Sequence, residues 1–91
     1  MSMRDRIARQ QAQKDVDHIT REIYKRSLQG KDTSVADLMP LVLIRSRYNN
    51  GYTTTSKQGM EDAMRQSMAY CRALMRQAAA QHPHVAHRIR L

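Results

Sequence analysis

One continuous apolar run, Leu38-Met39-Pro40-Leu41-Val42-Leu43-Ile44, lies between two long, strongly charged segments. Seven consecutive side chains of this kind need cover from more than one side. In a chain of 91 residues the flanking segments are the material available to supply it. The run therefore calls for one small domain, residues 1–91, in which the flanks pack over the centre. A domain of this size is near the lower end of what a single core supports unaided. The apolar inventory is thin: no Trp, no Phe, four Tyr and seven Met. Methionine packs adaptably and specifies geometry loosely, so modest stability is expected, or added burial through a partner or a homodimer.

The first flank, residues 3–29, reads as one long helix. It holds neither Pro nor Gly, and Gly30 stands where a left-handed residue would end it. At about 100° per residue, Ala8, Ala12, Val16, Ile19 and Ile23 share a narrow arc, the expected packing face. Lys14, His18, Arg21 and Lys25 form a second line at i, i+4, i+7 and i+11. That line reads either as an anion-facing strip or as a solvated face balanced by Asp15, Asp17 and Glu22. Residues 3–10 set Arg4, Arg6 and Arg9 against Asp5 and are less apolar, so they are expected to reach beyond the core as an arm.

After a connector at 31–34, Ser34-Val35-Ala36-Asp37 has the form of a capping arrangement, Ser at the cap and a carboxylate three residues on. A helix is expected to begin near Val35. Pro40 removes one backbone bond and crowds the turn before it. The central segment, 34–49, is thus expected to be short and kinked at Pro40, or to break into a turn at 35–39 and a helix from Pro40. A competing reading is a hairpin. Asn50-Gly51 sits between Tyr- and Thr-bearing flanks, a strong short-range turn signal that would pair 42–49 with 52–56. An isolated two-stranded ribbon is marginal in water, which favours the helix.

Residues 56–81 read as the second long helix. Thr55 with Gln58 offers a capping box, and Glu61 and Asp62 sit near the positive end of the helix dipole. Met60, Met64, Ser67, Met68, Cys71, Leu74, Met75 and Ala78 share one arc of about 120°. The stripe of Met60, Met64, Met68, Cys71 and Met75 reads as core, or else as an adaptable docking face. Beside it lie Glu61, Arg65, Arg72 and Arg76. Pro83 is expected to end the helix, leaving a basic tail, 82–91, unstructured by composition. The fold class that follows is all-α: two long helices packed around a short kinked central helix.

Little here supports catalysis. His82, His84 and His87 are close enough in sequence to reach one ion, but a fourth ligand would have to come from His18 or Cys71, and no spacing suggests it. No metal site and no cofactor are expected. Cys71 falls on the packing arc, where a thiol behaves as a small hydrophobe rather than a nucleophile. Gly51-Tyr52-Thr53-Thr54-Thr55-Ser56-Lys57 lacks the second Gly of a phosphate-binding loop, leaving at most a modest anion site at a helix start. Asp15/Asp17 and Glu61/Asp62 are too close to face each other across a substrate. The chain reads as not an enzyme.

The charge points to a partner. The formal net charge is +8, and Arg outnumbers Lys by twelve to four. Arg suits bidentate phosphate and carboxylate recognition, so an anionic partner follows. The leading expectation is a non-catalytic accessory protein that binds nucleic acid mainly through phosphates. Arg45, Arg47, Lys57, Arg65, Arg72 and Arg76 would make the contacts, with Lys14, Arg21 and Lys25 on the first helix. The alternative is a small protein-binding adaptor or inhibitor docking on an acidic surface of a host nucleic-acid-processing protein. By size and charge alone, that is a type phages and other mobile elements encode. A helix-turn-helix is not supported, because the loop at 49–55 exceeds the usual turn of about 3–4 residues. A membrane-surface role is disfavoured, since residues 3–28 lack the Trp, Phe and Leu such helices use. With one Cys, a polar N-terminal stretch and no segment of about 20 apolar residues, the cytoplasm is the expected location.

Overall fold

A computed structural model describes residues 2–50 and 57–91, and side chains over 2–43 and 59–91. Three helices carry the fold: α1 (Met3–Leu28), α2 (Val35–Asn50) and α3 (Lys57–Gln81). A 3-10 helix follows at Pro83–Arg88. Two strands of two residues each, β1 (Thr33–Ser34) and β2 (Ile89–Arg90), pair in parallel, Thr33 opposite Ile89 and Ser34 opposite Arg90. The all-α class holds, with this small ribbon added.

Local chemistry sets the helix limits. Asp5 donates its backbone N–H to Ser2 Oγ at 3.2 Å, capping the start of α1. At its other end Gly30 takes φ +79°, and the Gly30 and Lys31 N–H groups return to the Ser27 and Arg26 carbonyls. This is the double bond pattern of a Schellman stop, which needs a left-handed residue where Gly30 stands. The capping arrangement at the start of α2 is formed. The Ser34 N–H and Oγ both donate to Asp37 Oδ2 at 2.9 Å, and the Asp37 N–H donates back to Ser34 Oγ at 3.4 Å.

α2 runs as one helix of sixteen residues that includes Pro40, so the reading of a turn at 35–39 followed by a separate helix does not hold. Pro40 and Ala36 are both exposed. The Ala36 carbonyl that loses its partner to Pro40 can therefore turn to water. The hairpin reading fails, because residues 42–49 are helical. Its second strand at 52–56 and the capping box of Thr55 with Gln58 lie outside the described residues.

The core gathers Ile19 and Ile23 of α1, Leu38 and Val42 of α2, Cys71, Leu74, Met75 and Ala78 of α3, and Ile89 of β2. α3 packs against both α1 and α2. The molecule is flat, 39 × 35 × 16 Å. The two buried hydroxyls of α1 are satisfied within that helix: Thr20 donates to the Val16 carbonyl at 2.8 Å, and Ser27 to the Ile23 carbonyl at 2.9 Å.

Two expectations about packing need correction. Ala8 and Ala12 extend the packing arc of α1 but are exposed, as is every residue from Ser2 to Lys14. On α3 the buried arc begins at Ser67; Met60 is 59% and Met64 44% exposed, while Met68 is half-buried. The core is too small to cover either long helix along its whole length.

The tail is also not unstructured. His82 stacks on Tyr24 with ring centroids 3.7 Å apart and planes 15° from parallel. Pro83 ends α3 and opens the 3-10 helix, and Ile89 is buried in the core. Arg90 Nε and Nη2 reach Asp32 Oδ2 at 3.1 and 2.8 Å, and Arg88 Nη1 reaches Asp32 Oδ1 at 3.4 Å and the Gly30 carbonyl at 2.8 Å. Composition hides this because each anchor is a partner more than fifty residues away.

Candidate anion-binding surfaces

The basic residues separate into those the fold consumes and those it leaves over. Arg26 belongs to the first group. Its Nε donates to the buried Thr33 Oγ1 at 3.1 Å, its Nη2 donates to the Asp32 carbonyl at 2.9 Å, and Nη2 lies 3.7 Å from Asp37 Oδ2. Arg88 and Arg90 are taken by Asp32. The Arg90 hydrogen bonds foremost, with the charges of both arginines behind them, hold the Asp32 carboxyl below its ordinary value. Asp37 is lowered chiefly by the Ser34 backbone and hydroxyl bonds, with Arg26 contributing. Arg26 holds the α1–α2 connector to α1, and Arg88 and Arg90 hold it to the tail, so none of the three is free for a partner. The sequence gives little warning of that role.

The second group is larger. Lys14, His18, Arg21 and Lys25 are all exposed, on the side of α1 turned from the core. Arg65, Arg72 and Arg76 are exposed along one flank of α3. Arg65 lies 3.6 Å from Asp62 across one turn, an exposed pair of small worth. Among the described residues, Arg4, Arg6, Arg9, Lys14, Arg21, Lys25, Lys31, Arg72 and Arg76 have no carboxylate within ion-pair distance. The structure thus sets the expected residues on two separate helix faces and does not gather them into one pocket. The Arg45, Arg47 and Lys57 side chains lie outside the described residues.

Cys71 is fully buried, with its thiol 3.8 Å from Met39 Sδ. Burial pushes the thiol up, outweighing the opposing pull of Arg72. A group held this way is a poor thiolate. Of the three tail histidines, His82 stacks on Tyr24 and His84 meets that ring edge-on at 5.8 Å. No cluster of three metal-ligating side chains occurs among the described residues. None of the helices in them is long and apolar enough to cross a membrane.

Compared with protein-family models, curated proteins and solved structures, the chain finds no match.

Proposed function

We propose that this chain is a basic, non-catalytic accessory protein that binds nucleic acid mainly through phosphate contacts. The observation that carries this reading is the surplus of unpaired cations. Nine described Lys and Arg residues have no carboxylate in ion-pair range, and most lie in lines along α1 and α3. Such lines suit a long polyanion better than a compact anion, which would need convergent donors.

Fluorescence anisotropy with labelled duplex DNA, single-stranded DNA and RNA tests the reading. Affinity is expected to fall steeply with salt, its logarithm declining by about 0.7–0.9 per phosphate neutralised for each tenfold rise in salt concentration. Binding that ignores salt, or no binding even at low salt, overturns it.

A second reading is an adaptor or inhibitor docking on an acidic protein surface. Met60 and Met64 support it, since they carry the apolar stripe of α3 out past the core into solvent. Methionines in this position suit an adaptable protein contact. Met60→Gln with Met64→Gln, which changes no charge, would weaken protein docking and leave phosphate-driven binding of nucleic acid largely intact.

A further inference from the structure

The N-terminal half of α1 contributes no buried side chain to the described core. Every residue from Ser2 to Lys14 is exposed, and the first buried side chain of the helix is Asp15. Yet the segment is a capped, continuous helix. It carries Arg4, Arg6, Arg9 and Lys14 against the single carboxylate Asp5. A helical arm of about twelve residues projects roughly 18 Å at 1.5 Å per residue.

Its side chains are ordered by face. Arg6, Arg9, Gln10 and Gln13 fall at i, i+3, i+4 and i+7, so they share one side of the helix over two turns, within an arc of about 100°. By the same geometry Lys14 and Arg21 lie along one border of that arc, roughly 70–90° from its centre. Asp17 closes the arc at its C-terminal end and accepts from Gln13 Nε2 at 3.0 Å. Arg and Gln are the side chains whose donors and acceptors match guanine and adenine edges, and Lys and Arg beside them match phosphates. Between Arg6 and Gln13 the arc itself holds no aromatic or large aliphatic residue. Met3 and Ile7 are exposed on the arm but fall roughly 70–110° from the arc's centre, beside Lys14, so the arc lacks the anchor that a protein interface uses for affinity.

We propose that this arm lies in the major groove of B-form duplex DNA, with Arg6, Arg9, Gln10 and Gln13 against base edges and Lys14 and Arg21 against phosphates. The inference rests on the nucleic-acid reading above and adds the element, the duplex form and the groove. The major groove of B-DNA, about 12 Å wide, accepts a bare helix. That of A-form RNA is too narrow and deep for side chains to read. The core packs on the other half of α1, from Asp15 onward.

The test uses the full chain and a duplex DNA of about 20 base pairs, with a duplex RNA of the same sequence. Two variants are compared, Arg6→Ala/Arg9→Ala/Gln10→Ala on the arm and Arg72→Ala/Arg76→Ala on α3. Both sets are exposed, and an unchanged helical circular dichroism spectrum with a cooperative melt checks the fold. Dimethyl sulfate methylation of guanine N7 reports occupancy of the major groove. The arm variant is expected to lose roughly tenfold or more in DNA affinity, the scale of one or two base contacts, together with N7 protection. The α3 variant should keep that protection, and duplex RNA should bind more weakly than DNA. DNA binding with unprotected N7, an arm variant that binds like the parent, or duplex RNA bound as tightly as DNA overturns the groove placement and leaves the nucleic-acid reading standing. Absence of binding to either duplex and to single strands overturns both.

Discussion

Asp32 shows how one side chain can organise a terminus. It receives Arg88 and Arg90 from the tail, and its own backbone carbonyl accepts from Arg26, so the end of α1, the connector and β2 meet at one residue. Its folded carboxyl, like that of Asp37, is held below the ordinary value of 3.8. A depressed carboxyl stabilises the fold in its ionised form. That contribution is whole above 3.8 and is lost as pH falls through the lower folded value. Protection of the Ile89 and Arg90 amides, taken as the exchange rate relative to the intrinsic rate at each pH, should therefore fall on acidification below that point. Asp32→Asn is expected to release the tail at neutral pH and to flatten the acid response, leaving the part due to Asp37. Identical exchange curves for parent and variant would remove Asp32 from this role. Tryptic cleavage after Arg88 gives an independent readout, faster in the variant.

At the scale of elements, the helix ends make sharp predictions. A Cβ on Gly30 would meet open space, its nearest atom being Arg88 Nη2 at 4.0 Å, so the cost of Gly30→Ala comes from φ +79° itself. A loss of about 1–2 kcal/mol in chemical denaturation is expected, and Gly30→Asn should lose less. Pro40 works in the opposite sense. It is exposed, so Pro40→Ala adds a bond to the Ala36 carbonyl without opening a cavity, and stability should rise by up to roughly 3 kcal/mol. No gain would mean that α2 depends on the proline at its first turns. These ends were legible beforehand because their signals are local: Gly30 after an uninterrupted helix, Ser34 and Asp37 three residues apart, and the apolar arc of α3. The tail was not legible, since a strand of two residues has no periodicity and its partners are 56 or more positions away. The extent of the core was half legible. Helical arcs show which side of α1 and α3 can pack, but not that packing stops before Lys14 on one and begins at Ser67 on the other. The candidate binding surface divides in the same way. Sequence spacing gave the lines of Lys14, Arg21 and Lys25 and of Arg72 and Arg76, and only the folded connector showed that Arg26, Arg88 and Arg90 are already engaged.

On the scale of the whole molecule, charge and stability pull against each other. A net charge of +8 on a flat body, with nine buried apolar residues among the described ones, sets self-repulsion against little burial. Salt acts on this balance in two directions. It screens repulsion among the unpaired cations, which favours the fold, and it screens the attractive pairs at Asp32, Asp37 and Asp62, which disfavours it. The attractive set is small, partly exposed, and backed at Asp37 by short hydrogen bonds from Ser34 that salt does not remove. The unpaired cations are more numerous, and within about 10 Å of one another along α1 and α3 they repel in the range that ordinary ionic strength screens. Repulsion should win. The thermal midpoint, followed by circular dichroism, is expected to rise by several degrees between low salt and about 0.3 M sodium chloride, since roughly 1 kcal/mol moves a domain of this size by about 4–8 °C. Arg72→Gln with Arg76→Gln should raise the low-salt midpoint and shrink the salt response, because it removes repulsion and no ion pair. A midpoint that falls with salt would mean that the few pairs around Asp32 and Asp37 outweigh the surplus, and the unpaired cations would then be too well solvated to drive binding to a polyanion.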